Sequence, residues 1–205
     1  MGKIFYMMGK SACGKDKLFS LLSDDPEIGL RRLVLYTTRP IRRNETEGVQ
    51  YHFVTDEALA ALEKEGRVIE KRVYETVAGP WTYATVDDGT LDSGEMSFIT
   101  IGTLESYVKI REYLGEGKVI PLYIETEDGI RLARALRREG KQEEPNYREV
   151  CRRFLSDCED FSEEKIAEAG IEKRFENNGE LSDVLSALKT YIMNVIISSN
   201  GNHEI

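Results

Sequence analysis

A short apolar run, Lys3 to Met8 (KIFYMM), stops at Gly9, and five residues later comes Gly14-Lys15. No other feature narrows the fold so much. A loop of this spacing turns successive backbone N–H groups inward around an anion, and the helix behind it adds its positive N-terminal end. The glycines permit the backbone angles and the close approach. By accident, G-x4-G-K turns up in about one chain in twenty of this length, given ordinary glycine usage. The apolar strand before it and the helix after it, Lys15 to Leu22 with Leu18, Leu21 and Leu22 at helical spacing, are what make it a site. The candidate phosphate contacts are Gly9, Ser11, Ala12, Cys13, Gly14, Lys15, Asp16 and Lys17. Lys15 would neutralise the outer phosphates. Ser or Thr is expected next, to hold magnesium, and Asp16 stands there instead. Cys13 reads as a tolerated loop side chain, the alternative being a reactive thiolate at a helix N-terminus.

Further along, Leu33 to Tyr36, Met96 to Ile101, Val119 to Ile124 and Ile171 to Glu176 read as strands. Helices are expected near Leu104 to Tyr113, Gly129 to Arg138, Arg148 to Asp160 and Asp183 to Ile197. Strands alternating with helices imply an α/β fold, a parallel sheet with helices on both faces. Thr37 to Gly89 lacks long periodic elements and reads as a small inserted lobe with one helix near Glu57 to Glu65. Gly140 to Tyr147 is a polar hinge or lid, and Ser198 to Ile205 reads as a disordered tail.

The net charge of −9 argues against broad nucleic-acid or membrane binding. No apolar run reaches about 18 residues, so no membrane-spanning helix is expected. The N-terminal run suggests a first strand rather than a signal peptide, because glycine and charge follow it directly. Three cysteines, Cys13, Cys151 and Cys158, form no C-x-x-C pair and point to a reducing, cytoplasmic setting.

Thr37 to Val54 reads TTRPIRRNETEGVQYHFV. It resembles the mononucleotide-binding segment of guanylate kinases through Thr37, Thr38, Arg39, Arg42, Glu45, Gly48, Tyr51 and Phe53. Arg39 and Arg42 can make fork-shaped contacts with a phosphate, to which Tyr51 adds a hydroxyl. An isolated R-x-x-R would be a solvated loop, but here tyrosine, glycine and glutamate fall in register too. The resemblance implies a three-layer P-loop NTPase fold: a core over 1–36 and 90–198, an NMP-binding lobe over about 37–89 and a lid over about 138–150. It also implies that Val68-Ile69-Glu70 places a carboxylate on guanine N1–H and its 2-amino group. Tyr83-Ala84-Thr85 would give a phosphate hydroxyl and a base-facing one. The GMP set is thus Thr38, Arg39, Arg42, Glu45, Tyr51, Glu70, Tyr83 and Thr85, although extra residues around Thr76 to Trp81 loosen the register of the last two.

The resemblance further implies transfer of phosphoryl from ATP to GMP with magnesium on Asp16. Lys15, Arg39, Arg137 and Arg153 would be the catalytic cations, with Lys141 also near the lid and Asn177 on adenine. The chain would act as a monomer or homodimer. Three positions depart from the family: Asp16, Leu35 where a base-facing serine is usual, and Ile99 to Gly102 where an acidic pair is usual. Asp16 also occurs in the related ribose 1,5-bisphosphate phosphokinases, so a phosphosugar kinase is one rival. A non-catalytic guanylate-kinase-like module is the other.

Overall fold

The computed structural model describes residues 2–76, 79–92, 94 and 96–201. Met1, the Val77-Ala78 part of the extra segment and the tail from 202 to 205 lie outside them. The core sheet has five parallel strands: β1 (Ile4–Met8), β2 (Arg31–Arg32), β7 (Phe98–Ile101), β8 (Val119–Glu125) and β9 (Arg174–Glu176). Their order is β2-β7-β1-β8-β9. β1 lies between β7 and β8, with strands following it in sequence on both sides, and such a switch point opens a crevice at its carboxyl end.

Both faces of this sheet are covered, so β1 is apolar at every position rather than alternating. Ile4, Tyr6 and Met8 pack with α3 (Leu104–Leu114) and α6 (Glu163–Glu168), while Phe5 and Met7 pack with α1 (Lys15–Ser23) and α7 (Leu181–Gly201). This is the expected three-layer arrangement. The remaining helices are α2 (Asp56–Lys64), α4 (Asp128–Glu139) and α5 (Tyr147–Asp160). Caps mark several helix starts: Thr55, Thr103, Asn146 and Ser162 each accept from a backbone N–H in the first turn.

Four expectations need correction. The strand expected over Leu33 to Tyr36 begins two residues later and belongs to the lobe as β3 (Leu35–Thr37), while β2, just before the expected span, joins the core. The lobe does hold long regular elements, the hairpin of β5 (Val68–Thr76) and β6 (Gly79–Val86). The tail is helical as far as Gly201. Finally, Leu181–Ser199 is long and apolar enough to cross a membrane by length and composition. Scanning for unbroken apolar runs misses it because Asp183 and Lys189 interrupt the stretch. Val184, Leu188 and Ile192 bury one side of it against the sheet, as in a core helix.

The lobe is a four-stranded sheet, β4 (Tyr51–Phe53), β3, β6, β5 in that order. Tyr36, Ala84 and Val68 on one face pack against Leu59 and Leu62 of α2. By strand register, the other face carries Leu35, Thr37, Tyr51, Phe53, Tyr83, Thr85, Glu70, Arg72 and Tyr74. A bulge between Val68 and Glu70 makes this possible. It lets Val68 face the helix while Glu70, two residues on, faces the opposite way.

Candidate active site

The loop after β1 is built around two glycines that no other residue could replace without movement. A Cβ on Gly9 would lie 2.4 Å from the Ile124 carbonyl oxygen, and one on Gly14 would lie 2.4 Å from Asn177 Nδ2. Gly14 also has φ +91°, in the left-handed region. Ala12 adopts φ +63°, a costly conformation for a residue with a Cβ. Asn177 is buried and ties the last strand to the loop, donating from Nδ2 to the Cys13 carbonyl at 2.7 Å. Its Oδ1 is buried without a hydrogen-bond partner among the described residues. Cys13 is 1% exposed and burial pushes its thiol pKa up, which fits the loop-side-chain reading and not a thiolate. Lys15 Nζ reaches back to the Lys10 carbonyl at 3.4 Å. Asp16 and Lys17 are exposed in the first turn of α1, with no hydrogen bond or ion pair among the described residues.

One loop amide is already engaged. Ser11 N–H donates to Asp157 Oδ2 at 2.8 Å. Asp157, on α5, is held in turn by Arg131, which is 1% exposed and also bonds Asp128 at 2.6 Å. The Arg131 guanidinium lies 3.9 Å over the Phe154 ring. Sequence reading missed both residues: among eight arginines and lysines from Arg131 to Arg153, nothing in the pattern marks this one as buried. Arg134, also missed, donates to the Asn177 carbonyl at 3.1 Å.

Across a cleft of about 1060 Å³ from Gly9, Ser11 and Lys15 stand Arg72 and Tyr74 of β5. The Tyr74 ring meets Tyr83 edge-on at 5.6 Å, and the Tyr83 hydroxyl accepts from Arg39 Nε at 3.2 Å. Arg39 is 3% exposed and gripped by Glu45, Nη1 to Oε2 at 2.9 Å and Nη2 to Oε1 at 2.7 Å. Nη1 also donates to the Pro40 carbonyl. Four of its five N–H groups are therefore spent, and Arg39 can offer a ligand one more. Arg39 holds the Glu45 carboxyl down at about 2. The Arg39 guanidinium lies 5.5 Å from both the Tyr51 and Phe53 rings. Arg42 gives its backbone N–H to Glu45 and extends an exposed side chain. Thr38 is spent on Thr82, accepting at Oγ1 from its N–H at 3.1 Å.

Glu70 is 4% exposed. Its Oε1 accepts from Thr85 Oγ1 at 2.9 Å and its Oε2 from Ser106 Oγ at 3.1 Å. Ser106 is placed by the Thr103 cap of α3. Tyr6, buried on β1, lies close to Ser106. The phosphate loop, Arg72 and Tyr74 thus line one cleft, and Glu70 and Tyr83 stand directly beside Arg72 and Tyr74 on the same face of the lobe sheet. Arg137 and Arg153 do not line it: Arg137 is exposed, and Arg153 is tied to Glu149 at 2.7 Å.

A family model described as guanylate kinase matches residues 1–192. The chain belongs to the guanylate kinase family. Among curated relatives, the guanylate kinase of Aliivibrio fischeri is 34% identical over 103 residues, 49% of this chain and 48% of that protein. That of Vibrio vulnificus strain YJ016 is 32% identical over 122 residues, 58% of this chain and 57% of that one. The matched stretches thus span about half the length of these relatives. The crystal structure of guanylate kinase from Anaplasma phagocytophilum aligns with TM-score 0.56 and 19% identity, covering 97% of this chain and 86% of that one, a likeness of fold.

The missing acidic pair of this guanylate kinase family member now has a physical account. A Cβ on Gly102 would lie 2.0 Å from the Tyr6 hydroxyl. The phenol fills the space a side chain at 102 would need. Thr100, the register partner of Tyr6, is itself 1% exposed.

Proposed function

We propose that this chain transfers the terminal phosphoryl group of ATP to GMP, giving ADP and GDP. The observation that carries the reading is Glu70. A buried carboxylate, fixed by two hydroxyls, sits beside Arg72, which lines a cleft whose opposite wall is the phosphate loop. Carboxylates are seldom buried this far without a task, and one that accepts from N–H groups suits guanine N1–H and its 2-amino group. Adenine presents an acceptor at N1 and lacks that amine, so Glu70 would select by repulsion as well as attraction.

The acceptor is a phosphate oxygen of GMP, already a competent nucleophile, so no strong base is required. It attacks the terminal phosphorus as the bond to the ADP oxygen breaks. Catalysis is then alignment and charge neutralisation. Lys15 and the loop amides would hold the donor phosphates. Arg42, Tyr51, Tyr83 and the remaining N–H of Arg39 would hold the acceptor phosphate. Arg137, Arg153 and Lys141 would contribute on closure of the lid, which excludes water. Asn177 Oδ1 would accept from the adenine amine.

The residues also fit magnesium. Asp16 offers an uncommitted oxygen donor directly after Lys15. No group of three or more metal-ligating side chains occurs among the described residues, so phosphate and water would complete its shell. Bound there, the ion would neutralise charge between the donor phosphates. We place the activity in the cytoplasm, in a monomer or homodimer.

A coupled ADP-release assay with GMP, AMP and ribose 1,5-bisphosphate as acceptors tests the reading. Turnover with GMP alone is expected. Turnover with the bisphosphate alone would transfer the assignment to a phosphosugar kinase. ATP binding by calorimetry with no acceptor used would make it a binding module.

A further inference from the structure

Past the bulge at Ile69, Glu70 and Arg72 share the cleft face of β5. Both are withdrawn from solvent, their side chains 1% and 14% exposed. Arg72 Nε lies 3.3 Å from Glu70 Oε2, and Nη2 lies 3.5 Å from Oε1. These distances are long for charge-assisted bonds, and Nε has no hydrogen-bond partner of acceptable geometry among the described residues. A buried N–H without an acceptor is costly, and near a cleft it points to a ligand that supplies one.

An ionised carboxylate has about four acceptor sites. Thr85 and Ser106 take one on each oxygen of Glu70. The two that remain face Arg72. The other side chains around Glu70 have little to give a ligand. Thr85 spends its proton on Glu70 itself, Thr37 spends its own on the Thr82 carbonyl at 2.8 Å, and Leu35 is apolar. Arg72 is the donor left beside the carboxylate.

Guanine presents three groups in a row: the O6 acceptor, the N1–H donor and the 2-amino donor. Glu70 matches the last two. An arginine next to it matches the first, the pairing by which arginine commonly reads guanine O6. We propose that Arg72 donates to O6, so that the Glu70–Arg72 pair, and not Glu70 alone, sets base choice. The proposal rests on the GMP-kinase reading above. Guanine takes the two Glu70 sites on which Arg72 now stands, and the guanidinium turns from them to the adjacent carbonyl. Adenine is mismatched twice, its amine facing Arg72 and its N1 acceptor facing Glu70.

The test compares kcat/KM for GMP and 6-thio-GMP, which keeps N1–H and the 2-amino group but replaces O6 by sulfur, a weak acceptor. Wild type should prefer GMP by about 10- to 100-fold, the usual worth of such a contact. In Arg72→Met the GMP value should fall by about that factor while 6-thio-GMP changes little, so the ratio collapses toward one. Equal losses on both acceptors would overturn the proposal. They would make Arg72 a phosphate contact or a mere support for Glu70, because both acceptors present the same two donors to the carboxylate. Wild type using both alike would overturn it without need of a variant. Absence of any GMP turnover by wild type would overturn the function itself, and the Arg72 role with it. GMP turnover with an unchanged ratio in the variant would remove only the Arg72 role.

Discussion

Replacing Gly102 by alanine should destabilise this protein far more than its place at a strand end suggests. The added Cβ would meet Tyr6 Oη at 2.0 Å and Cζ at 2.9 Å, where ordinary contact needs about 3.5 Å. Tyr6 cannot yield easily. It is 1% exposed on the central strand, beside Tyr107 with ring centroids 5.8 Å apart. Forcing an extra methyl into such packing costs about 1–3 kcal/mol. A cost near 2 kcal/mol should lower Tm by about 4–8 °C in a domain of this size. Gly102 has no left-handed φ, so backbone strain does not contribute. Thermal and urea denaturation of wild type, Gly102→Ala, Tyr6→Phe and the double variant complete a cycle. Tyr6→Phe removes the atom at 2.0 Å, so the double variant should recover at least about 1 kcal/mol relative to additivity. Gly102→Ala within about 0.5 kcal/mol of wild type, or strict additivity, would refute the claim that the phenol occupies the missing side chain's place.

Other outcomes follow from the site. Glu70→Gln should lower kcat/KM for GMP on the order of 100-fold while ATP affinity by calorimetry stays within about twofold, since a charged acceptor is lost on one side of the cleft only. Equal losses would remove its base-reading role. Asp16→Ser should retain or raise turnover if the carboxylate is a variant magnesium ligand; abolished turnover with an unchanged melting curve would make it essential. Asp157→Ala frees the Ser11 amide and removes a negative charge beside the phosphate loop, so ATP should bind about tenfold tighter by calorimetry. Unchanged or weaker binding would show that the contact does not compete with phosphate. The Glu45 carboxyl is depressed to about 2 by Arg39, below its unfolded value of about 4.3. Its contribution to stability is therefore complete above pH 4.3 and fades as pH falls toward 2. Glu45→Gln should flatten the acid limb of Tm against pH in that window only.

The parts of the site that follow from local spacing were legible in the sequence. Gly9, Gly14 and Lys15 need only a strand before and a helix after, and Arg39, Glu45 and Tyr51 sit within thirteen residues of each other. The parts that depend on distant contacts were not. The β5–β6 hairpin hides because its cleft face is charged and aromatic, with Glu70, Arg72 and Tyr83 where a strand packed on a core would show aliphatic alternation. The bulge at Ile69 then shifts the period by one. Arg131 and Asp157 are 26 positions apart, and only the packing of α4 against α5 makes them partners. Asp157 meets Ser11 across 146 positions. Tyr6 looks like any residue of a buried strand until Gly102 is placed beside it.

The local costs in this structure gather at the phosphate loop and beside Glu70. Ala12 is the one non-glycine residue with positive φ among the described residues, and it lies in the phosphate loop. The two buried side-chain atoms without a hydrogen-bond partner among them are Asn177 Oδ1, on the residue that clasps that loop, and Arg72 Nε, beside Glu70. Strain and unsatisfied groups tend to persist where function requires them, because elsewhere substitution removes them. A scaffold module that had lost its chemistry would have no reason to keep such features at the phosphate loop and beside Glu70. Both orphan atoms are also of the kind the proposed ligands would satisfy: an acceptor for an adenine amine and a donor for a guanine carbonyl. That correspondence favours a working kinase with altered surroundings over a degraded one.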